Sequence, residues 1–216
     1  MKQGLFVTFE GIEGCGKSTQ VQLLAEWLQA RSIPHCLTRE PGGTEVGKSI
    51  RQILLSQQTR ELDPHAELLL YLADRLQHVA QVIRPELNAG RMVVCDRFHD
   101  STVAYQGYAR GLSKQLIDTV WQNSGAAITP SLTFLIDVSP EVGISRSLQK
   151  LKEQQLDESR FENEALEFHA RVREGFMDLA RLEPARFVIL NGMDTPEQIH
   201  QKIVVILENH QGQNQQ

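Results

Sequence analysis

A chain of 216 residues with 41% hydrophobic content can bury the core of one domain, and it contains no apolar run long enough to span a bilayer. The 22 Lys and Arg against 27 Asp and Glu leave a formal charge of −5, which argues against nucleic acid or an anionic membrane as the main partner. The first residues carry no cleavable signal pattern, and Cys15, Cys36 and Cys95 lack metal-site spacing, so a cytoplasmic protein with reduced thiols is expected.

Leu5, Phe6, Val7 and Phe9 form a near-continuous apolar run, as expected of a parallel strand buried on both faces. It runs into Gly11, Ile12, Glu13, Gly14, Cys15, Gly16, Lys17, Ser18 and Thr19, which satisfy G-x-x-x-x-G-K-[ST]. Glycines at these places let successive amides turn toward one anion, and the following helix adds its positive end. That helix is read from Val21, Leu24, Trp27 and Leu28. Lys17 can then reach the β- and γ-phosphates of a nucleotide, and Ser18 can ligand Mg²⁺. Cys15, beside both the helix end and Lys17, is a candidate reactive thiol.

His35 to Thr38 reads as a second strand, with Arg39-Glu-Pro-Gly-Gly-Thr44 at its carboxyl end, where ligands sit in an open α/β sheet. Val46, Ile50, Ile53 and Leu54 mark a helix, and Asp63-Pro64 opens a longer one to about Leu87. Its core face is Leu68, Leu72, Leu76, Val79 and Ile83; Tyr71 and Arg75 lie one turn apart on another side, where a ring and a guanidinium can face one pocket, although the spacing is usual for mere surface neighbours. Met92 to Cys95 is the third strand, delivering Asp96 and Arg97, a carboxylate suited to metal waters beside a guanidinium suited to phosphate. From His99 to Gly111 the chain is too polar for core and too dense in hydrogen-bonding groups for a spacer, with Ser101, Thr102, Tyr105, Gln106 and Arg110. A helix over Leu112 to Gln122 and a strand over Leu132 to Ile136 follow, and Ser139-Pro140 opens another helix. Between Ser145 and Arg160 basic residues alternate with acids, either a solvated face or a basic flap over the nucleotide. Helix resumes around Phe161 to Leu179, Phe187 to Leu190 is the fifth strand, and a last helix around Ile199 to Leu207 precedes a disordered tail over 211–216.

Five strands alternating with helices predict an α/β fold with a doubly wound parallel sheet, in a single domain spanning about 1–210. The guanine-reading N-K-x-D and the switch D-x-x-G are both missing, which removes a GTPase. The second polar cluster at Arg39, Arg75 and 96–110 favours a kinase with a small acceptor over an ATP-binding module of a larger assembly.

The glycine loop, Thr38-Arg-Glu-Pro-Gly-Gly-Thr44, Leu72-Ala-Asp-Arg75, Asp96-Arg-Phe98, Ala104-Tyr-Gln-Gly107 with Arg110-Gly111, and Arg160-Phe-Glu162 together resemble the bacterial thymidylate kinases, in the family's order and over nearly the whole chain. The resemblance implies the nucleoside monophosphate kinase fold with a lid at about 145–160. It also implies a homodimer and transfer from ATP with Mg²⁺ to dTMP on the way to dTTP. By motif position, residues Gly11 to Thr19 bind the ATP phosphates and Arg146 lies against adenine. Glu13 takes the sugar 3′-hydroxyl, Arg75 and Gln106 read thymine, and Tyr71 stacks on it where many relatives have Phe. Tyr105 crowds the 2′ position, with Ser101 in the same substrate segment. Arg39 and Arg97 hold the acceptor phosphate. Ser18, Glu10 and Asp96 serve the metal. Some relatives place a basic residue at the position of Gly14. Here the missing cation is expected from the lid, Arg160 first and Lys152 or Lys150 next.

Overall fold

The computed structural model describes residues 4–59, 61–154 and 159–213. Strand β1 (Phe6–Glu10) is buried at all five positions, as a strand covered on both faces must be. It is followed by α1 (Lys17–Ala30), β2 (His35–Arg39), α2 (Glu45–Leu55) and α3 (Pro64–His78). A π-helical turn (Val79–Ile83) carries α3 into α4 (Arg84–Asn88), so the predicted long helix is continuous in path but locally widened into a bulge near its end.

Next come β3 (Met92–Asp96), α5 (His99–Thr102) and a second π-helical stretch, Val103–Ala109. The polar segment read from sequence as non-core is therefore helical, and most of it is buried. Its polar groups are inside because other buried polar groups meet them there. The remaining elements are α6 (Lys114–Asn123), β4 (Leu132–Asp137), α7 (Pro140–Gln154), α8 (Leu166–Leu182), β5 (Phe187–Asn191) and α9 (Pro196–Gln213). Phe161 lies in a turn ahead of α8, and α9 continues through 211–213, where the sequence reading placed a disordered tail. Residues 155–158 of the expected lid and 214–216 of the expected tail lie outside the described residues.

The five strands form one parallel sheet in the order β2-β3-β1-β4-β5. The chain leaves β1 toward β2 on one side and β4 toward β5 on the other, so the order reverses beside β1, and a crevice opens at the carboxyl ends there. Side-chain alternation builds two cores. Val7 and Phe9 of β1 with Val94 of β3 face one, against α1, α8 and α9; Phe6, Val93 and Cys95 face the other, against α3 and α6.

Two glycines set how closely α7 approaches the loop after β1. A Cβ on Gly143 of α7 would lie 2.5 Å from the Glu13 carbonyl oxygen and 2.8 Å from Cδ1 of Ile12. A Cβ on Gly14, whose φ is +65°, would lie 2.0 Å from the Gly143 carbonyl oxygen. The loop therefore has no room for a side chain at position 14 while α7 sits where it does. Gly143→Ala is expected to push α7 off the loop and cost about 1–3 kcal/mol as overpacking against backbone. Urea unfolding measures this, and an unchanged midpoint would show that the close approach is not enforced.

Candidate active site

The loop from Gly11 to Gly16 closes over the end of β1 because three of its glycines take positive φ, at +137°, +65° and +106° for Gly11, Gly14 and Gly16. Gly16, the N-cap of α1, offers no side-chain acceptor, and the first turn of α1 carries no acid. The amide end of that helix is thus left uncapped by protein groups and positive in potential. Lys17 curls back into the loop, donating from Nζ to the carbonyls of Gly11 (3.0 Å) and Ile12 (2.8 Å). The Ser18 hydroxyl reaches Oδ2 of Asp96 at 3.0 Å, joining the loop to the end of β3.

Directly after Asp96, Arg97 takes a left-handed backbone (φ 70°), unusual for a non-glycine residue, which turns its side chain back over the sheet. Its guanidinium donates to the Gly11 carbonyl (2.9 Å), Ser101 Oγ (3.1 Å) and Oε1 of Glu13 (3.1 Å), and lies 5.1 Å from the centre of the Tyr105 ring. Oε1 of Glu13 also accepts the Tyr105 hydroxyl, while Nδ1 of His169 faces Oε2 at 3.3 Å. Burial pushes the Glu13 carboxyl up, but His169 first, then Arg97, Lys17 and Tyr105, outweigh it and hold the pKa down at about 2. Glu13 is therefore an anion fixed between two donor sets.

These groups line one cleft of about 550 Å³. Its walls include Gly14, Gly16, Lys17, Ser18 and Thr19, with Glu13, Arg97, Ser101 and Tyr105 beside them. Arg39, Tyr71, Arg75, Asp96, Gln106 and Arg146 also line it, so the structure brings most of the sequence candidates together. Arg75 is almost wholly buried, and its guanidinium donates to Glu40 (2.7 Å), Thr102 (2.9 Å) and the Phe98 carbonyl (3.1 Å). Burial raises the Tyr71 hydroxyl well above the ordinary phenol range, which keeps it neutral. The pairing of Tyr71 with Arg75 is thus a cleft wall, not a surface accident. Arg146 donates to the Gly192 carbonyl at 3.0 Å, which places it where α7 meets the loop after β5.

Three expectations need correction. Glu10 does not line the cleft: its oxygens are taken by the Phe98 amide (2.7 Å) and the Ser101 hydroxyl (2.6 Å), and it supports the β3 loop from below. Cys15 is buried, with Sγ turned toward Gly11 and accepting from Nζ of Lys17 at 3.4 Å, so the thiol lies beside Lys17 as the sequence implied but is shielded by the loop. Arg160 is also absent from the cleft wall, because it is buried against Glu67 (2.6 Å) and donates to the Leu54 carbonyl (3.2 Å). Among the described residues of the basic stretch from Ser145 to Arg160, Arg146 and Lys150, both on α7, line the wall.

Sequence reading missed Glu67, Arg51 and His169, and noted Glu40 only as part of a charged turn after β2. Glu67 is a buried hub that receives Gln106 (2.8 Å), Arg110 (3.3 Å) and Arg160. It sits four residues before Tyr71 and eight before Arg75, so one polar stripe on α3 held the clue. Glu40 binds both Arg75 and His78 (2.8 Å). Arg51 lines the cleft and donates to the Pro41 carbonyl at 3.2 Å. His169 carried no motif.

A glycine phosphate loop on a reversed-order parallel sheet, with a second buried polar pocket across the cleft, defines a nucleoside monophosphate kinase. The thymidylate kinase family model matches residues 9–203. The chain is 50% identical to the thymidylate kinase of Solidesulfovibrio magneticus over 92% of this chain and 96% of that one. It is 47% identical to that of Carboxydothermus hydrogenoformans over 97% of this chain and 100% of that one. The crystal structure of thymidylate kinase from Ehrlichia chaffeensis superposes with a TM-score of 0.75 at 35% identity, covering 95% of this chain and 99% of the other. This chain belongs to the thymidylate kinase family and is an enzyme of the dTMP kinase class.

The buried Glu10 makes a pH prediction. Burial, then the charge of Asp100, push its pKa up from 4.5 to about 8, against Ser101, Arg97 and the Phe98 amide. Between those two values the folded state holds a proton that the unfolded state has released, so stability falls as pH rises through this window. Glu10→Gln, which keeps the shape and cannot titrate, should flatten that fall by on the order of 2 kcal/mol between about pH 5.5 and 8. Urea unfolding across that range checks it; parallel curves for the two proteins would contradict the assignment.

Proposed function

We propose that this protein transfers the γ-phosphoryl group of ATP to dTMP with Mg²⁺, giving dTDP for dTTP synthesis, as a cytoplasmic homodimer. The observation that carries the reading is the shared cleft, where the phosphate loop and the buried Tyr71, Arg75 and Gln106 pocket meet across Arg97. Among the described residues no helix is long and apolar enough to cross a membrane. The single domain and its lid around 145–160 belong to the same reading, as does the homodimer, which rests on the family.

Gly11 to Thr19 receive the donor's phosphates at the uncapped end of α1, and Lys17 leaves its loop carbonyls for them. Arg146 lies beside the adenine position. Magnesium takes few protein ligands and keeps waters and phosphate oxygens, and the adjacent Ser18 hydroxyl and Asp96 carboxylate fit that demand. Bound there, it supplies neutralisation of charge on the transferring group. Across the cleft, Tyr71 stacks on thymine, while Arg75 and Gln106 read its edge. Both readers are pre-set, Arg75 by Glu40 and Thr102 and Gln106 by Glu67. Tyr105 stands against the 2′ carbon and Glu13 accepts the 3′-hydroxyl.

Arg97 and Arg39 hold the acceptor phosphate, which is ionised at neutral pH and needs no strong base. Transfer in line then depends on positioning two anions that repel and on cations at the developing charge. Gly14 admits no side chain, and Lys150 on α7, which lines the cleft, is the cation that would join Lys17 and Arg97. Arg160 instead anchors the lid's far end on Glu67.

A coupled ADP-release assay with dTMP, dUMP, dCMP, dGMP and dAMP should give the highest kcat/KM for dTMP; a better purine substrate would overturn the reading. In the same assay Lys150→Ala should lower kcat by roughly tenfold or more with little change in KM, as expected for a contact made mainly in the transition state. Equal kcat for variant and wild type would remove Lys150 from the chemistry. Tyr105→Ala should narrow the preference for dTMP over ribothymidine monophosphate by roughly tenfold. An unchanged ratio would mean that the ring does not select the sugar.

A further inference from the structure

His169 is fully buried on α8, and neither ring nitrogen has a hydrogen-bond partner. Oε2 of Glu13, equally sealed from solvent, also lacks one. The two unpartnered groups face each other, Nδ1 to Oε2 at 3.3 Å, close enough for a hydrogen bond but not aligned for one. Catalytic hydrogen bonds are often loose before substrate binds and tighten in the complex. The other side of the ring packs on its neighbour Phe168, with ring centres 5.5 Å apart and nearly perpendicular.

We propose that His169 is a positioning residue that donates from Nδ1 to Oε2 of Glu13, so that the Oε1 side of the carboxylate is held toward the sugar hydroxyl in the cleft. The inference rests on the reading that Glu13 accepts the 3′-hydroxyl. A carboxylate accepts only, so the proton between the pair must sit on the imidazole nitrogen. Without that donor, Oε2 is left buried with nothing to replace water, which costs enough to turn the carboxylate or protonate it. Either change weakens the acceptor offered to the sugar. His169 is also the strongest of the groups holding the Glu13 carboxyl down at about 2 against burial. It reaches Glu13 from α8, an element that contributes no residue to the cleft wall. The Arg173 guanidinium, paired with Asp137 at 2.6 and 2.8 Å, fixes the same helix to the end of β4.

The test compares kcat/KM for dTMP with that for its 3′-deoxy analogue. Wild type should prefer dTMP, and His169→Phe, which keeps an aromatic ring and loses the donor, should shrink that preference by roughly tenfold. His169→Asn, whose amide nitrogen stands near the place of Nδ1, should restore most of it. A variant that merely loosens α8 would lower both substrates alike and leave the ratio unchanged, and that result overturns the proposal. Glu13→Gln separates the two readings. If it collapses the preference while His169→Phe does not, the sugar contact stands and the role of His169 falls; if Glu13→Gln leaves the preference intact, both fall. Nitrogen NMR of the imidazole in the wild-type enzyme with dTMP decides the matter even if the Phe variant does not fold. A proton on Nδ1 is expected, and a ring protonated on Nε2 alone overturns the proposal.

Discussion

The ion pair between Arg97 and Glu13 is the interaction on which the arrangement of the cleft depends. A guanidinium in a half-buried site must have its donors answered, and here they are answered by the Gly11 carbonyl, Ser101 and Glu13. Gly11 and Glu13 belong to the loop after β1, while Arg97 and Ser101 belong to the chain after β3. The pair therefore joins two neighbouring strand ends into one wall, and the left-handed backbone at Arg97 is the strain accepted to make that turn. The glycine loop and the buried polar pocket share this wall. Positioning one necessarily positions the other.

Around that pair the fold spends buried charge in layers. The polar stripe of α3 puts Glu67 and Arg75 inside the molecule, where neither is tolerated alone. Each is met by groups from elsewhere in the chain: Glu40 from the turn after β2, Thr102 and Gln106 from the helical segment after β3, and Arg160 from the approach to α8. Breaking such a network leaves uncompensated charge, which costs far more than the net gain from forming it. That asymmetry favours rigid placement of Arg75 and Gln106 in the cleft. The segment that begins on α7 meets the same body through the glycine contact with the phosphate loop, through Arg146 on the Gly192 carbonyl, and through Arg160 on Glu67 and the Leu54 carbonyl.

Much of this was legible in the sequence. The apolar run before Gly11, the spacing to Lys17 and the alternation of strands and helices gave the sheet, and Asp96 with Arg97 lie at a strand end as the apolar run Met92 to Cys95 implied. The polar stretch from His99 to Gly111 was misjudged because polarity was taken as non-core, whereas its partners lie on α3, at the end of β1 and in the loop after it, mostly distant in sequence. Glu67 escaped notice for the same reason, although its four-residue spacing to Tyr71 was visible. Arg160 was assigned to the chemistry from its motif, and the structure gives it a buried carboxylate instead. Glu10 shows the converse, a carboxylate beside the site whose oxygens are consumed in holding the β3 loop. His169 was invisible, since nothing local distinguishes a helix histidine that meets a loop more than 150 residues away.

The central claim is that Glu13 and Arg97 act as one unit in holding the acceptor nucleotide. Its most direct test is a double-mutant cycle on dTMP affinity by calorimetry, using Glu13→Gln, Arg97→Lys and the double variant. The account predicts that the double variant loses less than the sum of the single losses, with a coupling of about 1 kcal/mol or more. Losses that add within about 0.3 kcal/mol would mean that the two residues bind independently, and would contradict it.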